Sequence, residues 1–450
     1  MYLPAARRLL TCNRTSQPLH RYINTLAIEL QANSIPGYNR GMSSRYNTMV
    51  IIALSLATAL GSFLLLRPHP APPIRIGVLH SLSGTMAVNE RPLVDAVRLA
   101  VEEINAAGGL LGRPVEMVVA DGRSDDDVFA AEAERLIASD QVSALFACWT
   151  SACRKAVKPV VEKHRHLMFY PLQYEGLEQS PAIFYTGSTP NQQIIPGTRW
   201  ALDTLGKRVY LLGSDYLFPH AANFIIRDLV KANHGSVLAE RYRPLGDADF
   251  GVAIAEIRAL KPDVVLNTIN GDSNTHFFRA LHEAGLGTVP VVSFSVAEVG
   301  LIAIGPQAFH PKHYAVWSYF QSVPGEANRN FVRAFQKRYG ADRVTSDPIE
   351  ATYVGVRLWA QAVRDAGTEE PEQVKRALSN QTTASPSGIA AIDRGTHHLW
   401  KQARIGKARA DGQFDLVWNS EDALRPDPFP DYRSQSEWQR LVAEQFEAKP

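Results

Sequence analysis

The 450-residue sequence predicts an α/β protein of two lobes, each a parallel sheet flanked by helices, with a cleft between the lobes. Three observations support this prediction. The chain is longer than a single hydrophobic core usually holds. Apolar strand-like runs alternate with amphipathic helix-like runs in two successive series. Further helices and strands then follow the second series, although that series already has covering helices of its own.

The first series begins near Ile74 and alternates strictly between strands and helices. Its predicted strands are IRIGVLH, PVEMVVAD, VSALFACW and LMFY. The intervening helices are VDAVRLAVEEINAAGG, DVFAAEAERLIAS and the segment that begins at Ser151. This order predicts a parallel sheet with helices on both faces.

The second series follows the strand AIFYTG and the polar linker STPNQQ. Its predicted strands are KRVYLLG, SVLAERYR, PDVVLNTI and TVPVVSF. The helices between them are FPHAANFIIRDLVKANHG, FGVAIAEIRALK and NTHFFRALHEAG. A second parallel sheet, separate from the first, is therefore expected.

Two long helices follow the strand YAVWSYF. The first ends at Gly340, and the second opens with Asp347, Pro348 and Glu350, a predicted capping box with proline in the first turn. We expect both helices to return to the first lobe, and the strands SGIAAIDR, KQARIGKARADG and QFDLVWNS to return to the second. The expected boundaries are residues 74–188 plus 322–380 for lobe 1, 189–321 plus 381–430 for lobe 2, and 431–450 for a C-terminal tail.

The amino end differs from the rest of the chain. Residues 1–48 contain six arginines, no lysine and one acidic residue, and they show no clear structural pattern, so the true start could be Met42 or Met49. Residues 49–66 carry no charge and predict a signal peptide or a membrane anchor. An uncleaved anchor is favoured, because cleavage after the weak Ala-Thr-Ala site would leave apolar residues at the mature end. Either alternative predicts that the remaining chain is exported.

The composition excludes several classes of protein. Apolar content of 45% and charged content of 20% are typical of a globular protein, and a net charge of +2 does not indicate a nucleic-acid partner. The three cysteines are Cys12, Cys148 and Cys153. They offer neither a disulfide framework nor zinc spacing, and Cys148 and Cys153 are expected to be small buried thiols.

Enzyme motifs are missing from the sequence. Gly271-Asp272-Ser273 is similar to a serine-hydrolase start, but it lies in mid-chain and no G-x-S-x-G elbow is present. The glycines of AAGGLLGRP follow a helix and precede a strand, which is the wrong context for a dinucleotide site. No Walker lysine and no histidine–acid cluster for a metal occur. We therefore expect binding without turnover, with no cofactor and no metal.

Polar and aromatic residues follow the ends of the predicted strands. Ligands of open α/β sheets bind beyond the carboxyl ends of the strands, so these residues are the candidate ligand-binding set. Each also has a structural alternative, since the hydroxyl and acidic residues could be helix caps and the aromatic residues could be core. The candidates are Ser83, Trp149, Thr150, Ser151, Tyr170, Gln173 and Tyr174 in the first lobe, and Tyr216, Asp272 and Glu298 in the second.

Many segments resemble the type I periplasmic binding proteins, and among them the substrate-binding component of urea ABC transporters. The segments that carry this resemblance, in order, are IGVLHSLSGTMA, EEINAAGGLLGRPVE, FACWTSACRKAV, FYPLQYEG, TPNQQIIP, GSDYLFP, NGDSN, TSDPIEATYVGV, HHLWKQARIG and ADGQFDLVW. LRPDPFP, residues 424–430, also resembles the related cytoplasmic short-chain amide sensor. The resemblance covers residues 74 to 430.

The resemblance implies a clamshell that closes on a small neutral polar ligand and is read by an ABC permease. It implies ligand contacts from Trp149, Thr150 and Ser151, from Tyr170 with Gln173 and Tyr174 nearby, and from Tyr216 of the second lobe. The amide sensor has tyrosine in place of Trp149 and threonine in place of Leu172, which favours urea over longer amides. Two alternatives remain open: a ligand-sensing regulatory module and a branched-chain amino-acid binding protein.

Overall fold

The computed structural model describes residues 49–58, 71–308 and 310–444. The chain divides into two units, Met1–Pro70 and Ala71–Pro450. In the first unit, residues 49–58 are helical and their side chains are exposed. In the described ranges no helix has the length and apolar character needed to cross a membrane. The predicted tail 1–48 and the remaining part of the predicted segment 49–66 lie outside the described residues.

The first sheet is built by the amino-terminal part of the second unit. Its elements in chain order are β1 (Ile74–His80), α1 (Ala87–Ala106), β2 (Val115–Asp121), α2 (Asp126–Ala138), β3 (Leu145–Ala147), α3 (Ser151–Lys163), β4 (Met168–Tyr170) and β5 (Ile183–Tyr185). The strands are all parallel, in the order β2-β1-β3-β4-β5. Strands β3, β4 and β5 are wholly buried because helices cover both faces of the sheet.

The second sheet follows in the chain. Its elements are α4 (Ile194–Thr204), β6 (Arg208–Ser214), α5 (Leu217–Ala232), β7 (Ser236–Arg243), α6 (Gly251–Leu260), β8 (Val264–Thr268), α7 (Ser273–Glu283), β9 (Val291–Ser293), α8 (Glu298–Ile304) and β10 (His313–Trp317). Successive residues of β6 alternate between two cores, one on each face of the sheet. Val209 and Leu211 join one core, and Tyr210 and Leu212 join the other.

The carboxyl-terminal part contributes to both sheets. Its elements are α9 (Glu326–Tyr339), α10 (Asp347–Ala366), α11 (Pro371–Leu378), β11 (Thr382–Ser385), β12 (Gly388–Ile392), β13 (Leu399–Trp400), β14 (Arg404–Ala408), β15 (Phe414–Asn419) and α12 (Gln435–Val442). Helices α9 and α10 pack against α1 of the first sheet. Strands β14 and β15 extend the second sheet to the order β15-β14-β10-β9-β8-β6-β7, with antiparallel pairing at β10–β14 and β14–β15. The predicted α/β architecture with two flanked sheets is confirmed.

Two local predictions were wrong. The strand in SGIAAIDR does not join the second sheet, because β12 pairs with β11 and β13 in a separate antiparallel sheet. The capping box at the start of α10 does not form. Ser346 occupies the cap position without a side-chain hydrogen bond, and the carboxylate of Asp347 instead accepts from the backbone amides of Ser318 and Tyr319, at 3.0 and 2.9 Å. Tertiary partners have displaced the local cap.

The segment predicted as a C-terminal tail contains an ordered helix. A capping box between Ser434 and Glu437 starts α12. Trp438 of this helix is fully buried and donates its indole N–H to the carbonyl of Pro430 at 2.8 Å. The helix therefore closes one face of the second sheet's core.

Candidate functional site

The junction between β3 and α3 is a sharp turn closed by a disulfide. Cys148 has a positive φ of 71°, and the side chain of Thr150 caps α3 by accepting from the backbone amide of Cys153 at 3.0 Å. The prediction that Cys148 and Cys153 are free thiols is wrong, because they form a disulfide. The turn brings their Cα atoms to 5.7 Å, within the range that a disulfide spans.

The strand ends of the two sheets meet through buried hydrogen bonds. The indole N–H of Trp149 donates to Oδ1 of Asn270, which follows β8, at 3.2 Å. Nε2 of Gln173, beyond β4, donates to the carbonyl of Phe294 and to Oγ of Ser295, each at 3.0 Å, just after β9. Parallel strands present their carboxyl ends at one edge, so these contacts lie where an α/β fold binds ligands.

Aromatic side chains surround this contact. The hydroxyl of Tyr170 donates to the carbonyl of Trp149 at 2.7 Å. Tyr216 precedes the first turn of α5, and burial raises its pKa well above the ordinary value, with the neighbouring Tyr170 and Glu175 adding to the shift. Its position before α5 places Tyr216 on the second-lobe side of the contact. Helix α3 also packs against α5, and α1 against α8, so the two lobes are closed on each other.

A cavity of about 250 Å³ opens beside this contact. Asn89 of α1 lines one side, and Asp272, Asn274 and Ser295 line the other. The hydroxyl of Thr85 donates to the carboxylate of Asp272 across the same gap. The predicted residue Asp272 therefore links the lobes at the margin of the cleft.

Glu298 begins α8 and is fully buried. Its Oε1 accepts from the backbone amide of Gln321 at 2.7 Å, whereas Oε2 has no hydrogen-bond partner in the described part of the chain. Burial raises the pKa of Glu298 to about 8, against an ordinary value of 4.5, and the charge of Asp347 adds to the rise. The carboxyl group is consequently neutral at neutral pH.

The raised pKa of Glu298 predicts that the stability of the folded protein depends on pH. Above pH 4.5 the unfolded chain loses this proton while the folded protein keeps it up to about pH 8. The folded state then binds more protons, so this group lowers the free energy of unfolding as pH rises through that window. In Glu298→Gln we expect the melting temperature to fall less between pH 5 and pH 8 than in the unsubstituted protein. Glu326→Gln, at an exposed first-turn glutamate of α9, is the matched control and should match the unsubstituted protein. An equal pH slope in Glu298→Gln would contradict the prediction.

Two of the predicted ligand-binding residues lie away from the contact between the lobes. Ser83 is exposed and donates to Oδ2 of Asp121 at 2.7 Å. Tyr174 lies in the first core, where its ring stacks on Tyr185 and His398. The other first-lobe candidates lie at the ends of β3 and β4, and Tyr216 precedes α5, the second-lobe helix that packs against α3.

Several residues at the contact were missed from the sequence. Asn270 lies in the quoted segment NGDSN, from which Asp272 was predicted instead, and Ser295 directly follows the predicted strand TVPVVSF. Arg154 and Glu175 form a buried ion pair of 2.7 Å directly behind Ser151. Glu178 adds a second carboxylate at 2.9 Å from Nε of Arg154. The signal available in the sequence was a lone arginine in α3 opposite two acidic residues in the loop after β4.

The chain is similar to one protein family over most of its length and to individual proteins over different shares of it. The family model described as a periplasmic binding protein domain matches residues 74–435. Leu/Ile/Val-binding protein homolog 8 of Brucella melitensis is 24% identical over 406 residues, which cover 83% of this chain and 97% of that protein. A protein named limonene hydroxylase from Geobacillus stearothermophilus is 40% identical over 116 residues, 26% of this chain. The chain spans only 21% of the length of that protein.

Solved structures of solute-binding proteins share the fold. One from Rhodopseudomonas palustris, in complex with 4-hydroxybenzoate, has a TM-score of 0.69 and 23% identity over 78% of this chain and 98% of its own. The branched-chain amino acid transporter substrate binding protein of Streptococcus pneumoniae, in complex with isoleucine, has a TM-score of 0.69 and 20% identity, covering 79% and 100%. At these identities the similarity demonstrates a common architecture.

Proposed function

The chain belongs to the periplasmic binding protein domain family, and on that basis we propose that it is an extracytoplasmic solute-binding protein that captures urea or a short-chain amide and delivers it to the permease subunits of an ABC importer. The solute is bound between the lobes and released unchanged. The ligand contacts proposed are those of Trp149, Thr150, Ser151, Tyr170, Gln173 and Tyr216.

One buried acceptor carries the assignment of the ligand. Nε2 of Gln173 faces the carbonyl of Phe294, which can only accept, so the amide orientation is fixed and Oε1 points the other way. Among the described residues nothing donates to this Oε1, although it is buried. An acceptor left unpaired in a closed site costs about 1–3 kcal/mol. The N–H groups of urea or a short amide would satisfy it.

The charges near the cleft favour a neutral ligand. The buried cation behind the contact is Arg154, and Glu175 and Glu178 already bind its guanidinium at 2.7 and 2.9 Å. A carboxylate ligand at this place would have to compete with two buried acids for one arginine. The resemblance of the quoted segments to urea-binding members of the family supports the same ligand class.

The disulfide supports the location. Structural disulfides persist in oxidising compartments such as the periplasm and are rare in the cytosol. The Cys148–Cys153 bridge is buried beside the proposed ligand contacts. We therefore place the folded body outside the cytoplasm, with membrane contact through residues 49–66 if that segment is not cleaved.

Calorimetric titration of the purified protein with urea, acetamide, leucine and 4-hydroxybenzoate tests the ligand class. We expect urea or acetamide to bind, and leucine and 4-hydroxybenzoate to bind at least about tenfold more weakly, a difference of about 1.4 kcal/mol. The relatives named Leu/Ile/Val-binding proteins make branched-chain amino acids the second candidate. Leucine binding more tightly than urea would establish that candidate and reject the proposal.

A further inference from the structure

We propose that Glu175 is a positioning residue that fixes the hydroxyl of Ser151 as a hydrogen-bond acceptor, so that the cleft selects ligands by their N–H groups and rejects carboxylates. This inference rests on the proposed function and adds the basis of its selectivity. It assigns a role to a residue that need not touch the ligand.

The hydrogen bonds of Ser151 determine where its proton lies. Oγ of Ser151 is 2.5 Å from Oε2 of Glu175 and 3.0 Å from Nη1 of Arg154. A guanidinium can only donate, and an ionised carboxylate can only accept. The single hydroxyl proton of Ser151 is therefore given to Glu175. Arg154 occupies one lone pair of Oγ, and the capacity that remains is the second lone pair.

The hydroxyl of Tyr170 is also fixed with its proton directed away from the ligand. Its hydroxyl proton is given to the carbonyl of Trp149 at 2.7 Å, because a carbonyl can only accept. Burial raises the pKa of Tyr170 above its ordinary value, so the hydroxyl keeps the proton that it gives to this carbonyl. The hydroxyl oxygens of Ser151 and Tyr170 therefore both present lone pairs, as does the unpaired Oε1 of Gln173.

This set of acceptors matches one class of ligand. Urea and primary amides carry N–H groups that can donate to these oxygens. A carboxylate of the same shape, such as acetate, carries acceptors alone and would face the lone pairs of Ser151 with Glu175 directly behind. Oxygen atoms that cannot be paired in a closed site disfavour the complex strongly, as the rejection of substrates that lack a required hydrogen-bonding group illustrates.

Glu178 provides a matched control for the role of Glu175. Both carboxylates are buried and bind the same guanidinium of Arg154. Glu178 also contacts Lys155 and the hydroxyl of Tyr185, whereas the hydroxyl of Ser151 donates to Glu175. A general loss of negative charge should therefore affect both variants, and a loss of control over Ser151 should affect Glu175→Gln alone.

The experiment measures the affinities of acetamide and acetate by calorimetric titration for the full chain, Glu175→Gln and Glu178→Gln. We expect the ratio of the acetamide to the acetate binding constant to fall by about tenfold or more in Glu175→Gln, because an amide can donate to Ser151 and free its proton for the ligand. In Glu178→Gln the ratio should change by less than about twofold. Thermal melting of each variant reports folding separately.

An unchanged ratio in Glu175→Gln, or equal changes in both variants, would overturn the inference while leaving the proposed function intact. Failure of the unsubstituted protein to bind urea or acetamide would instead reject the proposed function, and this inference with it. If Glu175→Gln does not fold, Ser151→Ala decides the matter. It should bind acetamide about tenfold more weakly without gaining acetate affinity, and wild-type acetamide affinity in this variant would overturn the inference.

Discussion

Arg154→Met is expected to lower the free energy of unfolding by about 3–5 kcal/mol, the cost of leaving buried charges without their partner. Arg154 is fully buried, and its guanidinium binds Glu175 at 2.7 Å and Glu178 at 2.9 Å. It also lies over the rings of Tyr170 and Tyr174, at 5.0 and 4.6 Å from their centroids. Methionine keeps much of the volume and removes the charge. The free energy of unfolding should be measured in guanidinium chloride, because urea is the proposed ligand and would bind the folded protein while it acts as a denaturant.

The same substitution has a predictable pH dependence. Burial alone would raise the pKa of Glu178, but the charges of Arg154, Lys155 and Lys158 outweigh it and hold the pKa well below the usual 4.5. Its stabilising contribution is therefore complete above pH 4.5 and is lost as the pH falls below it. The difference in the free energy of unfolding between the unsubstituted protein and Arg154→Met should therefore become smaller at acidic pH.

The exposed pair between Arg338 and Glu102 supplies the control. Its atoms are 2.9 Å apart, but the two side chains are 48% and 44% exposed, so solvent screens the interaction. Arg338→Met should cost less than about 1 kcal/mol. A cost for Arg154→Met as small as that would show that the buried cluster does not stabilise the fold.

Trp149→Ala and Tyr170→Ala are each expected to weaken urea binding by about 100-fold or more while the fold is retained. Trp149→Ala removes the indole that joins the first lobe to Asn270 and exposes the cleft to water. Tyr170→Ala removes an aromatic wall and the hydroxyl that holds the carbonyl of Trp149. Calorimetric titration with urea gives the affinities, and circular dichroism verifies the fold.

Trp400→Ala is the matched control for these two variants. Trp400 lies on β13, in the small antiparallel sheet, and its side chain is 37% exposed. Its removal should leave urea affinity within about twofold of the unsubstituted protein. If Trp149→Ala and Tyr170→Ala both kept full affinity, the solute would have to bind elsewhere than at the ends of β3 and β4.

Periodicity was sufficient to predict most of the fold. The strands of the first sheet are apolar runs whose burial on both faces leaves a strong signal, as in β1, where only Arg75 is exposed. The short strand β12 was assigned to the wrong sheet, because the sequence of residues such as Ile389 and Ala390 does not indicate which strand they pair with. Asp347 was assigned to a helix cap for a similar reason, since its partners lie almost thirty residues earlier in the chain.

The sequence was sufficient to predict which segments form the site, but not which residues of those segments contact each other. Strand ends identified the region of Trp149 and Tyr170, because a parallel sheet collects its carboxyl ends at one edge. The partners depend on how the lobes meet: Asn270 reaches Trp149 across 121 residues of sequence. The disulfide was missed because the proximity of its cysteines depends on a backbone turn with positive φ at Cys148, which the residue type does not announce.

The bridge between Cys148 and Cys153 closes a ring over a sequence separation of only five residues. Cross-links restrict the unfolded chain in proportion to the logarithm of the loop they enclose, so a ring this small contributes about 2 kcal/mol at most. Its larger consequence concerns the conformational entropy lost when the ligand binds. Trp149, Thr150 and Ser151 lie inside the ring, so their backbone entropy is lost when the protein folds and not when the ligand binds. The solute therefore meets a loop that is already ordered, and little affinity is lost to arranging it.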